Sequence, residues 1–272
     1  MRRGWCWIGG LVGGMVSAAL GGVPAATPCA PASTALASAV MAQSRRRVFA
    51  TYRPGTVEKG GKITGVVTYT GKVPDPRKIA IVKDPETCGK HPPTVPQLRV
   101  DDKGHVADAV VFLGNIAAGK MWSAKETDLH VVNQTTCEFD PHVQVIPIKL
   151  PFDIANNDPV AHNIKADQGV QTLFNHLQPR RGMRTEEKFE QPGLVELRCN
   201  VHDWMRAYVY VVPHPYYAVT GADGTFTLEN VPPGKYDLVV WQEFLGEQTF
   251  AVELTPEGTA TVEAALRARN AG

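Results

Sequence analysis

Apolar and polar positions alternate along most of this chain in short runs, each closed by a cluster of Gly, Pro, Asn or Asp. In residues 62–70, Ile63, Gly65, Val67 and Tyr69 fall on one parity and Thr64, Val66 and Thr68 on the other, the period-two pattern of a strand. A Pro-rich loop spans 85–96. Residues 98–100 and 107–113 flank the turn Asp101-Asp102-Lys103-Gly104 and read as a hairpin. Further strands are predicted at 129–133, 143–148, 149–154, 161–166, 194–198 and 206–212. Residues 167–185 lack strong periodicity and are predicted as a long loop. No long amphipathic helix is evident before residue 260. Many short strands at regular spacing predict an all-β chain built as an antiparallel sandwich. A second, smaller β-unit starts near Pro213-His214-Pro215, with strands predicted at 225–228, 236–241, 249–254 and 261–266.

The N-terminus departs from this pattern. Arg2-Arg3 precedes a Gly- and Ala-rich apolar stretch at 5–20, and small-residue sites follow at Val23-Pro24-Ala25, Ala37-Ser38-Ala39 and Val40-Met41-Ala42. That layout predicts a signal peptide over 1–42. The alternative, a retained membrane anchor, is disfavoured because the stretch is broken by glycines and marginal in length. Polar, basic residues 43–58 are expected to form a flexible lead-in. Export would place the protein in the periplasm or outside the cell, with no stable membrane insertion. The formal charge of +1 becomes −1 once Arg2 and Arg3 are gone, since residues 1–42 hold no acids. A near-neutral chain without a basic patch excludes nucleic acid as an expected partner.

Export changes the cysteine count. Of the five cysteines, cleavage near Ala39 or Ala42 leaves Cys88, Cys137 and Cys199. An odd count in an oxidising compartment predicts one pair and one thiol with another use. A Cys88–Cys137 disulfide meets that count and leaves Cys199 as a metal thiolate. Cys88-x2-His91 with Cys137-x4-His142 also has the residues for a second zinc or copper site. His105, His130, His176 and His214 follow no ligand pattern and are expected at the surface or in loops.

The stretch that carries chemistry is Cys199-Asn200-Val201-His202-Asp203-Trp204-Met205. It places a thiol, an imidazole and a thioether on one loop between two strands. Two His and one Cys with a distant axial Met make the ligand set of blue-copper electron carriers. Zinc accepts thiolate and imidazole too, but a single thiolate with a thioether favours copper. The missing imidazole is assigned to His162 in Asn157-Asp158-Pro159-Val160-Ala161-His162-Asn163, just after a tight turn. Asn163 is placed to hydrogen-bond near the thiolate or to tie the two ligand loops together. Val201, Trp204 and the edge of His202 are expected to form an apolar docking face, with electrons leaving through the His202 ring.

These motifs resemble the cupredoxins of the plastocyanin and amicyanin type. Residues from about 60 to 215 resemble secreted bacterial cupredoxin-like proteins of the methylamine-utilisation-like kind. The resemblance rests on Cys137-Glu138-Phe139-Asp140-Pro141-His142-Val143, on Asn157-Asp158-Pro159 leading to His162-Asn163, and on the Cys199–Met205 loop. The tail from Val219-Thr220 to Trp241 is similar to the carboxypeptidase-regulatory-like, transthyretin-like β-sandwich. The resemblance implies a Greek-key copper domain at 59–213, a small β-domain at 214–268, and one type 1 copper carrying single electrons without enzymatic activity. It also implies a redox partner such as a c-type cytochrome or a periplasmic dehydrogenase. Two other readings stay open: copper trafficking or storage, and a cell-surface module gripping carbohydrate or protein through Tyr216, Tyr217 and Trp241.

Overall fold

The alternation resolves into four main sheets. The structure, a computed structural model, describes residues 49–90 and 94–268. The expected signal peptide, residues 43–48 and His91 lie outside the described residues. One sandwich holds a five-stranded sheet in the order Gln171–Gln178, His162–Gln168, Gly193–Arg198, Arg206–Val212, Val143–Pro147. It faces a four-stranded sheet in the order Arg184–Glu187, Phe152–Asn156, His130–Thr135, Glu138–Asp140. The second sandwich pairs Tyr217–Val219, Val110–Leu113, Gly234–Gln242 and Gly246–Leu254 in one sheet and Thr225–Val231, Gly61–Tyr69 and Thr259–Leu266 in the other. The fold is all-β with sandwich-like sheets.

The ladders are not all antiparallel. Phe152–Asn156 runs parallel to His130–Thr135, Arg206–Val212 to Val143–Pro147, and Gly61–Tyr69 to Thr259–Leu266. A parallel pair cannot be closed by a tight hairpin, and each of these pairs joins strands separated by other structure. The expected boundary between 213 and 214 needs the same correction. Strands Gly61–Tyr69 and Val110–Leu113 hydrogen-bond into the second sandwich, whereas the first is drawn wholly from residues 130–212. The first sandwich is therefore inserted in the chain of the second.

Period-two burial shows why the sandwiches stay together. Val111, Leu113, Leu238 and Val240 point into the core of the second sandwich. Their neighbours Val110, Phe112, Val239 and Trp241 point the other way, against Val143, Val145, Tyr210 and Val212 of the first. Val209 and Val211 then face the core of the first sandwich. Three apolar layers result, and Phe112 meets Tyr210 with ring centroids 4.7 Å apart. Each buried aromatic or aliphatic side chain contributes about 1.5–3 kcal/mol, so the middle layer couples the two sandwiches. Tyr216 and Trp241 are buried, which removes two of the aromatics that a surface binding module would need.

Two loop assignments change. Residues 171–178 and 184–187 are strands at the outer edges of their sheets. Residues 49–58, expected to be flexible, pack onto the second sandwich. Arg53–Pro54 pairs with Ala118–Gly119, and the Tyr52 hydroxyl donates to the Lys120 carbonyl at 2.5 Å.

His214 lies in the loop between Arg206–Val212 and Tyr217–Val219, as expected, but that loop is buried there and His214 is 1% exposed. It sits among Phe49, Tyr52 and Tyr216 with its Nδ1 accepting the Tyr216 N–H at 3.3 Å. Its Nε2 has no hydrogen-bond partner among the described residues. Burial pushes its pKa from 6.5 down to about 4. A depressed folded-state pKa means the unfolded chain takes up the proton first. Stability is therefore full above about pH 6.5 and is lost as the pH falls towards 4. The loss approaches about 3 kcal/mol. Denaturant unfolding across this range is expected to show that slope in the wild type and a flatter one in H214F; parallel profiles would exclude His214 as its source.

Candidate metal centre

The site is built at one end of the first sandwich, where three neighbouring strands deliver their ends. Gly193–Arg198 and Arg206–Val212 pair to the last residue, Arg198 opposite Arg206. The connecting loop is closed by the Cys199 N–H donating to the Met205 carbonyl at 3.3 Å and the Met205 N–H to the His202 carbonyl at 3.1 Å. On the other side, Lys165 pairs with Arg198. Antiparallel continuation of that register brings His162 and Asn163 beside Cys199.

His162, Cys199 and His202 are all buried, and their ligand atoms lie within 4.8 Å of one another. The two Nδ1 atoms are 3.0 Å apart, and the Cys199 sulfur is 3.9 Å from the His202 Nδ1. Each ring is held from behind by a carboxylate. His162 donates from Nε2 to Asp158 Oδ2 at 2.8 Å, and His202 donates from Nε2 to Asp84 Oδ2 at 2.9 Å. A carboxylate fixes the tautomer in this way and turns the other nitrogen towards a ligand. With both Nε2 atoms committed as donors, two Nδ1 lone pairs face each other, an arrangement that needs a cation or a proton between them.

The sulfur is prepared as a thiolate. Burial raises the Cys199 pKa, but its side-chain contacts with His162 and His202, then the backbone N–H groups of Asn163 and His202, bring it down to about 6. Those N–H donors reach the sulfur at 3.5 and 3.4 Å. For His162, burial pushes the pKa down, and the Asp158 carboxylate followed by the Cys199 sulfur outweigh it. Asn163 also accepts the Asn200 N–H through its side-chain oxygen, tying the two ligand segments together. Met205 is buried in the same apolar cluster as Cys199 and closes the loop.

The second row of residues rests on the disulfide. Cys88 and Cys137 are joined, and Cys199 is the free thiol among the described residues. The two sulfurs are therefore not available as metal ligands, and His142 bonds instead to Glu243 Oε1 at 3.0 Å and the Arg206 carbonyl at 3.1 Å. Thr136 and Cys137 both adopt left-handed backbone angles, φ 53° and 57°, at a cost of roughly 1–3 kcal/mol each. Their N–H groups donate to the Asp158 carboxylate at 2.7 and 2.8 Å, so that turn positions the acid behind His162.

The expected docking face is not where the sequence suggests. Trp204 is 4% exposed. Its indole N–H donates to the Cys137 carbonyl at 3.1 Å, and its ring lies 5.1 Å from that of His202. Trp204 therefore supports the loop from beneath. Val201 is half-buried against the same cluster, and His202 is 0% exposed. Apolar character cannot tell a docking residue from a loop's own core contact. Sequence reasoning also missed Asp158 and Asp84. Asp158 carries a signal, standing four residues before His162 beside a proline. Asp84 is 118 residues from its histidine, and only its closeness to Cys88 hinted at it.

Comparisons with known proteins bear on two stretches. Residues 205–267 match the family model of the carboxypeptidase regulatory-like domain, a match that starts at Met205, ahead of the expected tail. No curated protein matches the chain. Similar solved structures include a Cu-containing nitrite reductase (NirK) from Thermus scotoductus SA-01, 21% identical over 32% of this chain, with a TM-score of 0.28. The chain spans only 23% of that protein. A purple cupredoxin from Nitrosopumilus maritimus is 25% identical, covering 30% of this chain and 99% of the other, TM-score 0.28. A reduced Cu(I) form of an amicyanin variant is 18% identical, covering 31% and 83%, TM-score 0.28.

Proposed function

We propose that this chain is an exported type 1 copper protein that carries single electrons between redox partners. The observation behind the reading is the buried meeting of two imidazole Nδ1 atoms, 3.0 Å apart, beside a sulfur already biased towards thiolate. The donor set of His162, Cys199 and His202, with Met205 as a weak fourth, fits copper better than zinc. Bound copper would supply one-electron oxidation and reduction. The chain supplies the rest. Asp158 and Asp84 hold the two rings, the N–H groups of Asn163 and His202 stabilise the sulfur's charge, and the apolar cluster around Met205 excludes water.

A cage built on sheet ends and tied by Asn163 changes little when its charge changes, which suits a carrier. Four protein donors leave no open position for a substrate, which argues against an enzyme. Burial of the three principal ligands also favours a carrier over a protein that hands metal on. The Cys88–Cys137 disulfide supports an oxidising compartment, in keeping with a periplasmic or secreted location. A c-type cytochrome or periplasmic dehydrogenase is the partner class this reading implies. Among the described residues no helix is long and apolar enough to cross a membrane.

The test is the absorption spectrum of the copper-loaded, oxidised protein. An intense visible thiolate-to-copper band with one copper per chain is expected. Full copper occupancy without that band would sink the carrier reading and leave storage or trafficking.

A further inference from the structure

His202 is enclosed on every side for which contacts are seen. One ring nitrogen and the two sulfurs of the Cys88–Cys137 disulfide lie within 4.8 Å of one another. Trp204 lies on one flank and His162 on another. At the outer nitrogen stands Asp84, whose side chain is 34% exposed while the ring is 0% exposed. Asp84 precedes the single helical turn Pro85–Cys88 and takes a left-handed backbone, φ 47°. The turn is closed by the Cys88 N–H donating to the Asp84 carbonyl at 2.8 Å, and Cys88 is then bonded to Cys137. Cys137 in turn gives its N–H to Asp158, the acid behind the other histidine. One covalent link thus ties the supports of both rings together.

We propose that Asp84 is a positioning residue of the metal centre: it fixes His202 through Nε2 and, strapped down by the disulfide, shuts the ring edge off from solvent. Electron exchange then passes through the Asp84–Cys88 strap instead of an open histidine edge. This inference rests on the carrier reading for its kinetic part only; the positioning of His202 holds for any metal the site takes.

Two variants separate cover from charge. D84G suits a left-handed backbone and removes the carboxylate; D84N keeps an acceptor over the ring and loses only the charge. Copper affinity, measured by competition with a chelator, is expected to fall by about 10–100-fold in D84G and to be largely retained in D84N. Electron exchange is then followed with anionic ferricyanide and with cationic hexaammineruthenium. Loss of charge alone speeds one reagent and slows the other, and that is the D84N result expected. Opening the edge speeds both, and that is expected of D84G. If D84G and D84N behave alike in affinity and with both reagents, the proposal is overturned. A wild-type protein that binds copper without the visible band would instead overturn the carrier reading, and the affinity comparison would still decide the role of Asp84.

Discussion

Cys199→Ser is expected to abolish the visible thiolate-to-copper band while leaving the fold in place. The thiol of Cys199 is brought to a pKa of about 6 by its surroundings, so it is ready to ionise and to bind as a soft anion. A serine hydroxyl at the same place stays protonated and is a hard donor, so the charge-transfer chromophore cannot form. The structural cost is small for a reason that can be read from the contacts. The sulfur accepts the N–H groups of Asn163 and His202, and a hydroxyl oxygen can accept both. The change in unfolding free energy of the metal-free protein is expected to stay within about 1 kcal/mol. Spectra at full copper occupancy, with denaturant unfolding of the apo-protein, check both halves. A band that persists in the variant would remove Cys199 from the ligand set.

Removing the disulfide is expected to cost much more in stability. Cys88 and Cys137 are 49 residues apart in sequence. Cross-linking a loop of that length restricts the unfolded chain by an amount worth about 4 kcal/mol. A C88A/C137A variant should therefore unfold at a markedly lower denaturant concentration. Its copper affinity should fall at least as far as that of D84G, because the strap bearing Asp84 and the turn supporting Asp158 lose their common anchor. The comparison is run on wild type with and without reductant as well as on the variant. An unfolding midpoint indifferent to both would mean that other contacts hold the strap.

How much of this was legible beforehand follows from where each residue sits along the chain. Cys199 and His202 were legible because one hairpin loop carries both, and a short loop between paired strands brings its side chains together; Met205 stands on the same loop and is buried in the cluster that holds Cys199. His162 was found because its strand begins directly after an Asn-Asp-Pro turn. The local strand pattern was equally plain, since burial on one face imposes period two. The strands at 171–178 and 184–187 were missed because they are edges. Thr172, His176, Arg184 and Glu186 give them a polar reading with only half-buried partners. Asp84 was missed because its closeness to Cys88 is the one local mark of an acid that reaches a ring more than a hundred residues away. The domain boundary failed for a related reason: periodicity says that residues 61–69 form a strand, but not that their partners lie at 225–231 and 259–266. Trp204 was misread because a large aromatic next to a ligand looks the same in sequence whether it faces a partner or the loop's own support.

The insertion of one sandwich into the other has a consequence for how the molecule is made. Every strand of the site-bearing sandwich comes from residues 130–212, so its ladders can close as soon as that stretch is available. The Gly61–Tyr69 strand has to wait, because the Thr259–Leu266 strand beside it is synthesised long after it. Pairings of such long range are slow to form because loop closure precedes the reward. The inserted sandwich therefore assembles before the enclosing one, and a chain cut short after residue 213 would carry the candidate site complete while Gly61–Tyr69 and Val110–Leu113 lacked their sheet partners.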